Sequence, residues 1–173
     1  FSGKNSYLDK TSDLLYDINM PYSFLDLYGK ITFNTTNGSK ANLFGFNYDD
    51  NVIYQGISEL NWKSHGFGSD FILIPGNSPV LIEGNIAYSG YGITLKEAAS
   101  PLRESSIAGA SMGFDFTNFQ PNGKIKYGFD VYGFETKFKT FNSANAVIEQ
   151  NENTSEFSAY INYQYKSKKL ILE

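Results

Sequence analysis

Apolar and polar residues alternate along most of the chain with a period of two, the repeat that sends successive side chains to opposite faces of a β-strand. The pattern is sharpest from Ser106 to Thr136. Ala108, Ala110, Met112, Phe114 and Phe116 fall on one parity, and Ile107, Gly109, Ser111, Gly113, Asp115 and Thr117 on the other. After Gln120-Pro121-Asn122-Gly123 the alternation resumes, with Ile125, Tyr127, Phe129 and Val131 set against Lys126, Gly128, Asp130 and Tyr132. Asn-Gly is a strong hairpin signal because both central residues of the favoured tight turn need positive φ. The stretch predicts a β-hairpin.

Similar segments flank it. A strand is predicted from Tyr22 to Asn34, with Leu25, Leu27, Ile31 and Phe33 opposite Asp26, Tyr28, Lys30 and Thr32, followed by the turn Thr35-Thr36-Asn37-Gly38. From Ser39 to Tyr48 the parities mix: Ala41 and Leu43 lie on one, Phe44, Phe46 and Tyr48 on the other, which predicts a bulge or burial on both faces. Asp49–Gly66 reads as a longer connection, Gly68–Pro75 as a strand closed by Gly76-Asn77-Ser78-Pro79, and Val80–Thr94 as a strand. Leu95–Ser105 reads as a polar connection and Phe141–Thr154 as an Asn- and Glu-rich loop. A last full strand sets Phe157, Ala159, Ile161, Tyr163 and Tyr165 against Glu156, Ser158, Tyr160, Asn162, Gln164 and Lys166, and Leu170-Ile171-Leu172 begins an eighth. Phe1–Met20 has no sustained period and reads as loop, with a short helix around Asp13–Asp17 as the alternative.

A soluble sandwich and a membrane barrel both alternate in this way. Three features favour the barrel. The connections alternate between short ones at Thr35, Gly76 and Gln120 and long ones at Asp49, Leu95 and Phe141, as in outer-membrane barrels with short turns at one rim. The strands beginning at Tyr22 and Val80 and the two of the Ser106–Thr136 hairpin can each run to about 13–15 residues, well beyond the soluble mode of about 5–6. Phe33, Phe116, Tyr127, Tyr163 and Tyr165 sit on the apolar parity near the short turns, where an interfacial aromatic girdle belongs. Asp26, Lys30, Glu83, Asp115, Lys126, Asp130, Glu156 and Lys166 all keep to the other parity, which suits a lumen and a solvated sandwich surface equally.

Composition narrows the function. Thirteen Tyr and 15 Phe bring aromatics to 17% while charged residues reach only 18%, which suits strands with a wide apolar surface. The net charge of −4 and the scattered cations exclude a nucleic-acid footprint. With no cysteine there is neither a disulfide nor a thiolate site. Phe71–Ile74 is the longest run without a polar residue, so no segment approaches a spanning helix. No signal peptide precedes Phe1, which reads as a mature chain or a piece of one.

Candidate chemistry is sparse. Gly109-Ala110-Ser111-Met112-Gly113 matches G-x-S-x-G, but that motif works on a strand-to-helix turn beside a base, and here it lies inside an alternating strand. Its glycines read instead as relief from crowding on the inward face. His65, the only histidine, reads as a loop hydrogen-bonder, and Asp49-Asp50-Asn51 as a solvated loop whose spacing does not match a Ca²⁺-binding EF-hand. Lys166–Lys169 reads as a solvated turn at a membrane edge. No catalytic residue, cofactor or metal ligand is assigned, no enzyme activity is expected, and ligand-contacting residues stay unassigned.

The segments MPYSFLDLYGKITFN, VLIEGNIAYSGYGITL, SSIAGASMGFDFTNF, IKYGFDVYGFETKF and IEQNENTSEFSAYINYQYK together resemble the barrel of a TonB-dependent outer-membrane receptor, over most of Pro21–Lys166. The resemblance implies an all-β, antiparallel up-and-down transmembrane β-barrel of about 22 strands, plugged by an N-terminal domain. It implies import of a scarce external solute across the outer membrane with energy from the TonB complex. The chain shows no plug-like or TonB-contacting segment and ends at Glu173 within a strand, without a terminal aromatic. Residues 1–173 therefore read as about a third of such a barrel, some 7–8 strands, with the plug domain outside it. The implied partners are the lipid bilayer, the remaining strands and plug, the TonB complex through the N-terminal part, and a surface lipoprotein. The alternatives are a small eight-stranded outer-membrane barrel with a structural or adhesive role, and a soluble β-sandwich carbohydrate-binding module. The connections Asp49–Gly66, Leu95–Ser105 and Phe141–Thr154 are expected to serve ligand access.

Overall fold

The structure, a computed structural model, describes residues 1–6, 11–12, 21–54, 56–76, 78–98, 100–142, 144, 146–166 and 171–172. These residues form one antiparallel up-and-down sheet in which every strand bonds to its neighbours in sequence. Its strands are β1 (Ser2–Asn5), β2 (Tyr22–Asn34), β3 (Lys40–Tyr54), β4 (Ser58–Leu73), β5 (Val80–Glu97), β6 (Ser100–Gln120), β7 (Gly123–Phe141), β8 (Val147–Lys166) and β9 (Ile171–Leu172). β1 and β9 lie at opposite edges and do not meet, so the sheet is open.

Register turns the sequence parity into two faces. The row Ile31, Leu43, Ser69, Ile86, Met112, Val131 and Phe157 crosses seven strands on one side. The row Phe33, Ala41, Phe71, Gly84, Phe114, Phe129 and Ala159 runs beside it. Phe71, Phe114 and Phe129 pack ring to ring, at centroid distances of 5.9 and 5.5 Å. Phe116 stacks on Tyr127 at 5.2 Å in the next row. This apolar face has no second layer over it among the described residues, and Ile86 and Ile161 are 49% and 77% exposed. No hydrophobic side chain among the described residues is buried. The accessible surface is 12195 Å², against about 8500 Å² for a compact globule of this mass. The sheet is a single wall, not a sandwich.

Several expectations need correction. Asp49–Gly66, Leu95–Ser105 and Phe141–Thr154 are not long loops: they are the paired ends of β3 to β8, closed by connections at 55–57, 98–99 and 142–146. Those at the other rim, at 35–39, 74–79 and 121–122, are no shorter as a set, so the asymmetry in loop length disappears. The strands are longer than expected because their ends stay paired beyond the apolar rows. Phe1–Met20 is not all loop either, since β1 pairs Ser2 with Tyr28 and Asn5 with Leu25. The helix considered at Asp13–Asp17 lies outside the described residues.

β3 keeps an unbroken register with both neighbours, so its mixed parity reflects apolar residues on both faces and no bulge. Among the described residues the register shifts between Leu95 and Glu97. The β6–β7 hairpin forms as expected, but Gln120 pairs with Gly123 and the turn centres on Pro121-Asn122. Proline holds φ negative, so this is not the turn with two positive-φ central residues that the Asn-Gly pair was expected to form. Gly38 does take φ +87° in the β2–β3 turn. There Thr35 N–H donates to Ser39 O and Gly38 N–H to Thr35 O. This turn is tied to the next, with Asn37 Nδ2 donating to Ile74 O at 2.7 Å and Ile74 N to Ser39 Oγ at 2.8 Å.

Candidate functional site: the polar face and its aromatic groove

The opposite face collects the polar parity of every strand. Thr32, Asn42, Asp70, Asn85, Gly113, Asp130 and Ser158 stand in one row across seven strands. Thr32 Oγ1 donates to Asn42 Oδ1 at 2.7 Å, and Asn42 Nδ2 donates to Asp70 Oδ2. Asn42 is only 5% exposed, so these bonds satisfy an amide that would otherwise lose its water without replacement.

One row towards the 121–122 turn, Glu83 stands directly opposite Asp115. Asp115 accepts from the Tyr160 hydroxyl and lies 3.4 Å from Lys126 Nζ, which is also 5.8 Å from the centre of the Tyr160 ring. Tyr160 reaches Asp115 over Gly128, which sits between them in the register. A Cβ at Gly128 would strike the Asp115 carboxylate and approach the Tyr160 ring to 2.9 Å. Only glycine leaves that path open.

Towards the other rim the polar face becomes aromatic. A groove of about 580 Å³ is lined by Lys4, Phe24, Asp26, Tyr28, Tyr48, Asp50, Trp62, Ser64 and Tyr91, among others. A second, of about 410 Å³, shares Ser64 and Tyr91 and continues to Tyr132 and Phe134. Asp50 lies beyond the apolar rows, opposite Phe24 and Trp62. Burial raises its pKa above the ordinary carboxylate range and the Asp26 carboxylate adds to the rise, while a hydrogen bond from Trp62 works against it. Asp49, one residue away, faces the other side and pairs with Lys63 Nζ at 2.7 Å.

The sequence candidates fall out as follows. Ser111 is on the polar face between Ala87 and Tyr132, whereas His65 is on the apolar face between Asn47 and Gly90, so the sheet separates them. His65 is in β4, not a loop, and its ring lies over Gly90. Asp49 and Asp50 are in β3 and point to opposite faces, so the Asp49-Asp50-Asn51 run does not converge on one point. Lys166 ends β8, and residues 167–169 lie outside the described residues. The three access segments do gather at one rim, as strand ends. Asn142 Oδ1 caps the 142–146 turn by accepting from Ala144 N and Ala146 N at 2.9 and 2.8 Å. Ala98 N–H bonds Ile57 O and so ties the 98–99 turn to the 55–57 turn.

Reading Asp49–Gly66 as a connection hid Trp62 and its neighbours. Had the alternation been carried past Tyr48, Tyr48 and Asp50 would have fallen on the parity of the lumen set. Comparison with protein-family models, curated proteins and solved structures finds no match. No family is assigned by likeness.

Proposed function

We propose that this chain is part of the transmembrane wall of an outer-membrane receptor barrel, which binds an external solute and imports it with energy supplied by the TonB complex. The observation that carries the reading is a continuous apolar face, exposed across a one-layer sheet, backed by a polar face of linked carboxylates, amides and hydroxyls. In water such a face invites aggregation. In a bilayer it meets hydrocarbon while the polar side chains point to a lumen.

The dimensions agree with that placement. From Ala108 to Phe116, or Phe157 to Tyr165, the apolar parity runs roughly 27 Å along the strand at about 3.4 Å per residue. A tilt of about 40° reduces this to about 21 Å, close to the apolar band of about 25 Å on outer-membrane barrels. At the edge of the band Glu135 stands opposite Ala108 and pairs with Lys137, and beyond it the same face stays ionic with the Lys63–Asp49 and Lys139–Glu104 pairs. The open edges favour a section of a larger barrel over a closed eight-stranded one, and the single layer weighs against a sandwich module.

The decisive experiment places a lone tryptophan on each face in turn. In a Trp62→Phe background, Ile86→Trp should be quenched by lipids brominated on their acyl chains, and Asn85→Trp should not. Equal quenching at the two positions refutes the membrane placement. Energy coupling is tested by solute uptake through the intact receptor with and without an active TonB complex. Exchanging the rim segments 49–66, 95–105 and 141–154 without changing that uptake would remove them from ligand access.

A further inference from the structure

We propose that the groove on the polar face between β1 and β5 binds an organic cation, a protonated amine or quaternary ammonium carrying an apolar body. The proposal extends the receptor reading, on which it rests for the route the solute takes, and it names the solute's chemical class.

The groove's size suits a small organic molecule, since ligand pockets span about 300–1000 Å³ and this one has about 580 Å³. Tyr28, Tyr48, Trp62 and Tyr91 supply rings along its length. Aromatic faces carry negative potential and attract a cation, most strongly where water is displaced. The carboxylates add to that potential. Asp26 and Asp50 sit on adjacent strands one register step apart, on the same face. Neither has an ion-pair partner among the described residues.

Lys4 stands opposite Asp26 in the register and lines the same groove. It offsets one of the two carboxylates and leaves the described lining residues with a net negative charge. Lys63, next to Trp62 in the chain, is on the far face with Asp49. Asp50 is thus a partly exposed carboxylate beside a second carboxylate, with no ion-pair partner among the described residues. A cation with an apolar body relieves that repulsion and stacks on the rings at once. An anion would be repelled, and a neutral sugar would stack while leaving the charge uncompensated.

Trp62 is the only tryptophan, so its fluorescence reports on this groove alone. The full chain is titrated with choline and, separately, with 3,3-dimethyl-1-butanol, which has the same shape without the charge, and with maltotriose. Choline should give a saturable change, with the neutral analogue at least about tenfold weaker. Asp50→Asn should weaken choline binding by about tenfold with an unchanged far-UV circular dichroism spectrum, and Asp50→Glu should restore it. Equal binding of choline and its neutral analogue, a response to maltotriose alone, no response to any probe, or an unaltered Asp50→Asn variant overturns the proposal. If Asp50→Asn disturbs the spectrum, Asp26→Asn is read by the same criterion. Detergent dependence is measured on the same preparation. A chain that needs detergent but ignores choline overturns this site alone, and one that binds choline without needing detergent overturns the membrane reading alone.

Discussion

Replacing Ile86 with arginine separates lipid from water as the neighbour of the apolar face. Ile86 is in the middle of β5, in the central apolar row between Ser69 and Met112. It is 49% exposed and touches no second layer among the described residues. On a water-facing surface a substitution there changes stability by no more than about 0.5 kcal/mol. At mid-bilayer the same arginine costs about 2–4 kcal/mol, a roughly 30- to 700-fold change in the folding equilibrium. The control is Asn85→Arg, one residue away on the polar face, in the same row as the Asp70 and Asp130 carboxylates. Opposite charges on neighbouring strands contribute about 0.2–1 kcal/mol, so this variant should hold or gain stability. The assay is equilibrium urea unfolding from phosphatidylcholine vesicles, followed by far-UV circular dichroism. If the two variants differ by less than about 0.5 kcal/mol, hydrocarbon is not what Ile86 faces.

Three further outcomes follow from the polar face. Glu83→Gln should raise stability by about 0.2–1 kcal/mol, because Glu83 stands opposite Asp115 and like charges in that position repel; a loss in the urea titration would mean the pair is compensated. Gly128→Ala should cost about 1–3 kcal/mol, since its methyl would lie 2.6 Å from the Phe114 carbonyl oxygen, while Gly133→Ala, with nothing within 4 Å, should stay within about 0.5 kcal/mol. Equal effects would refute the crowding argument. Asp50, facing Asp26, Lys4, Tyr48 and Trp62, has its pKa raised in the folded state. The folded chain therefore holds this proton to higher pH than the unfolded one, and stability falls as pH rises from the unfolded value of 3.8 through the raised folded value. Asp50→Asn should remove that fall, and an unchanged pH profile of the urea midpoint would contradict it.

The sequence spoke clearly where one face met something apolar and the other something polar, because only then does a period of two survive in composition. From Leu25 to Phe33 and from Ala108 to Phe116 parity alone named the faces that the register now shows. Beyond the apolar rows the outer face turns ionic while Phe24, Trp62, Ile93 and Phe138 stand on the other face, so the alternation changes sense although the backbone pairing continues. Asp49 bonds Lys63 within one segment that read as loop, and Asn151 Nδ2, in another, donates to Glu135 at 3.3 Å. These ends are held by ladder hydrogen bonds, and an alternation that changes sense does not read as a continuation of the apolar rows. β1 escaped for a different reason: four residues are too few to display a period, and its pairing depends on the free edge of β2. Trp62 was lost with the false loop, and with it the groove.

The G-x-S-x-G motif shows how a pattern borrowed from catalysis arises from sheet geometry. Gly109 stands opposite Phe134 and Gly113 opposite Asp130 on the polar face. A Cβ at Gly109 would lie 2.8 Å from the Phe134 ring, and one at Gly113 would strike the Asp130 carboxylate and come within 3.0 Å of Asn85 Nδ2. Phe134 and Asp130 are four residues apart on β7, both leaning over β6, so β6 needs two positions without a Cβ at the same separation. Antiparallel register fixes those positions at 109 and 113, and the residue midway, Ser111, takes the parity of both. A small residue suits it because Ala87 and Tyr132 flank it in the row. The same logic places Gly66 under Phe46 and Gly68 under Phe44 on β4. The glycines on this face are thus set by the large side chains across from them, and the spacing that looks like a nucleophile elbow is the spacing of what β7 lays over β6.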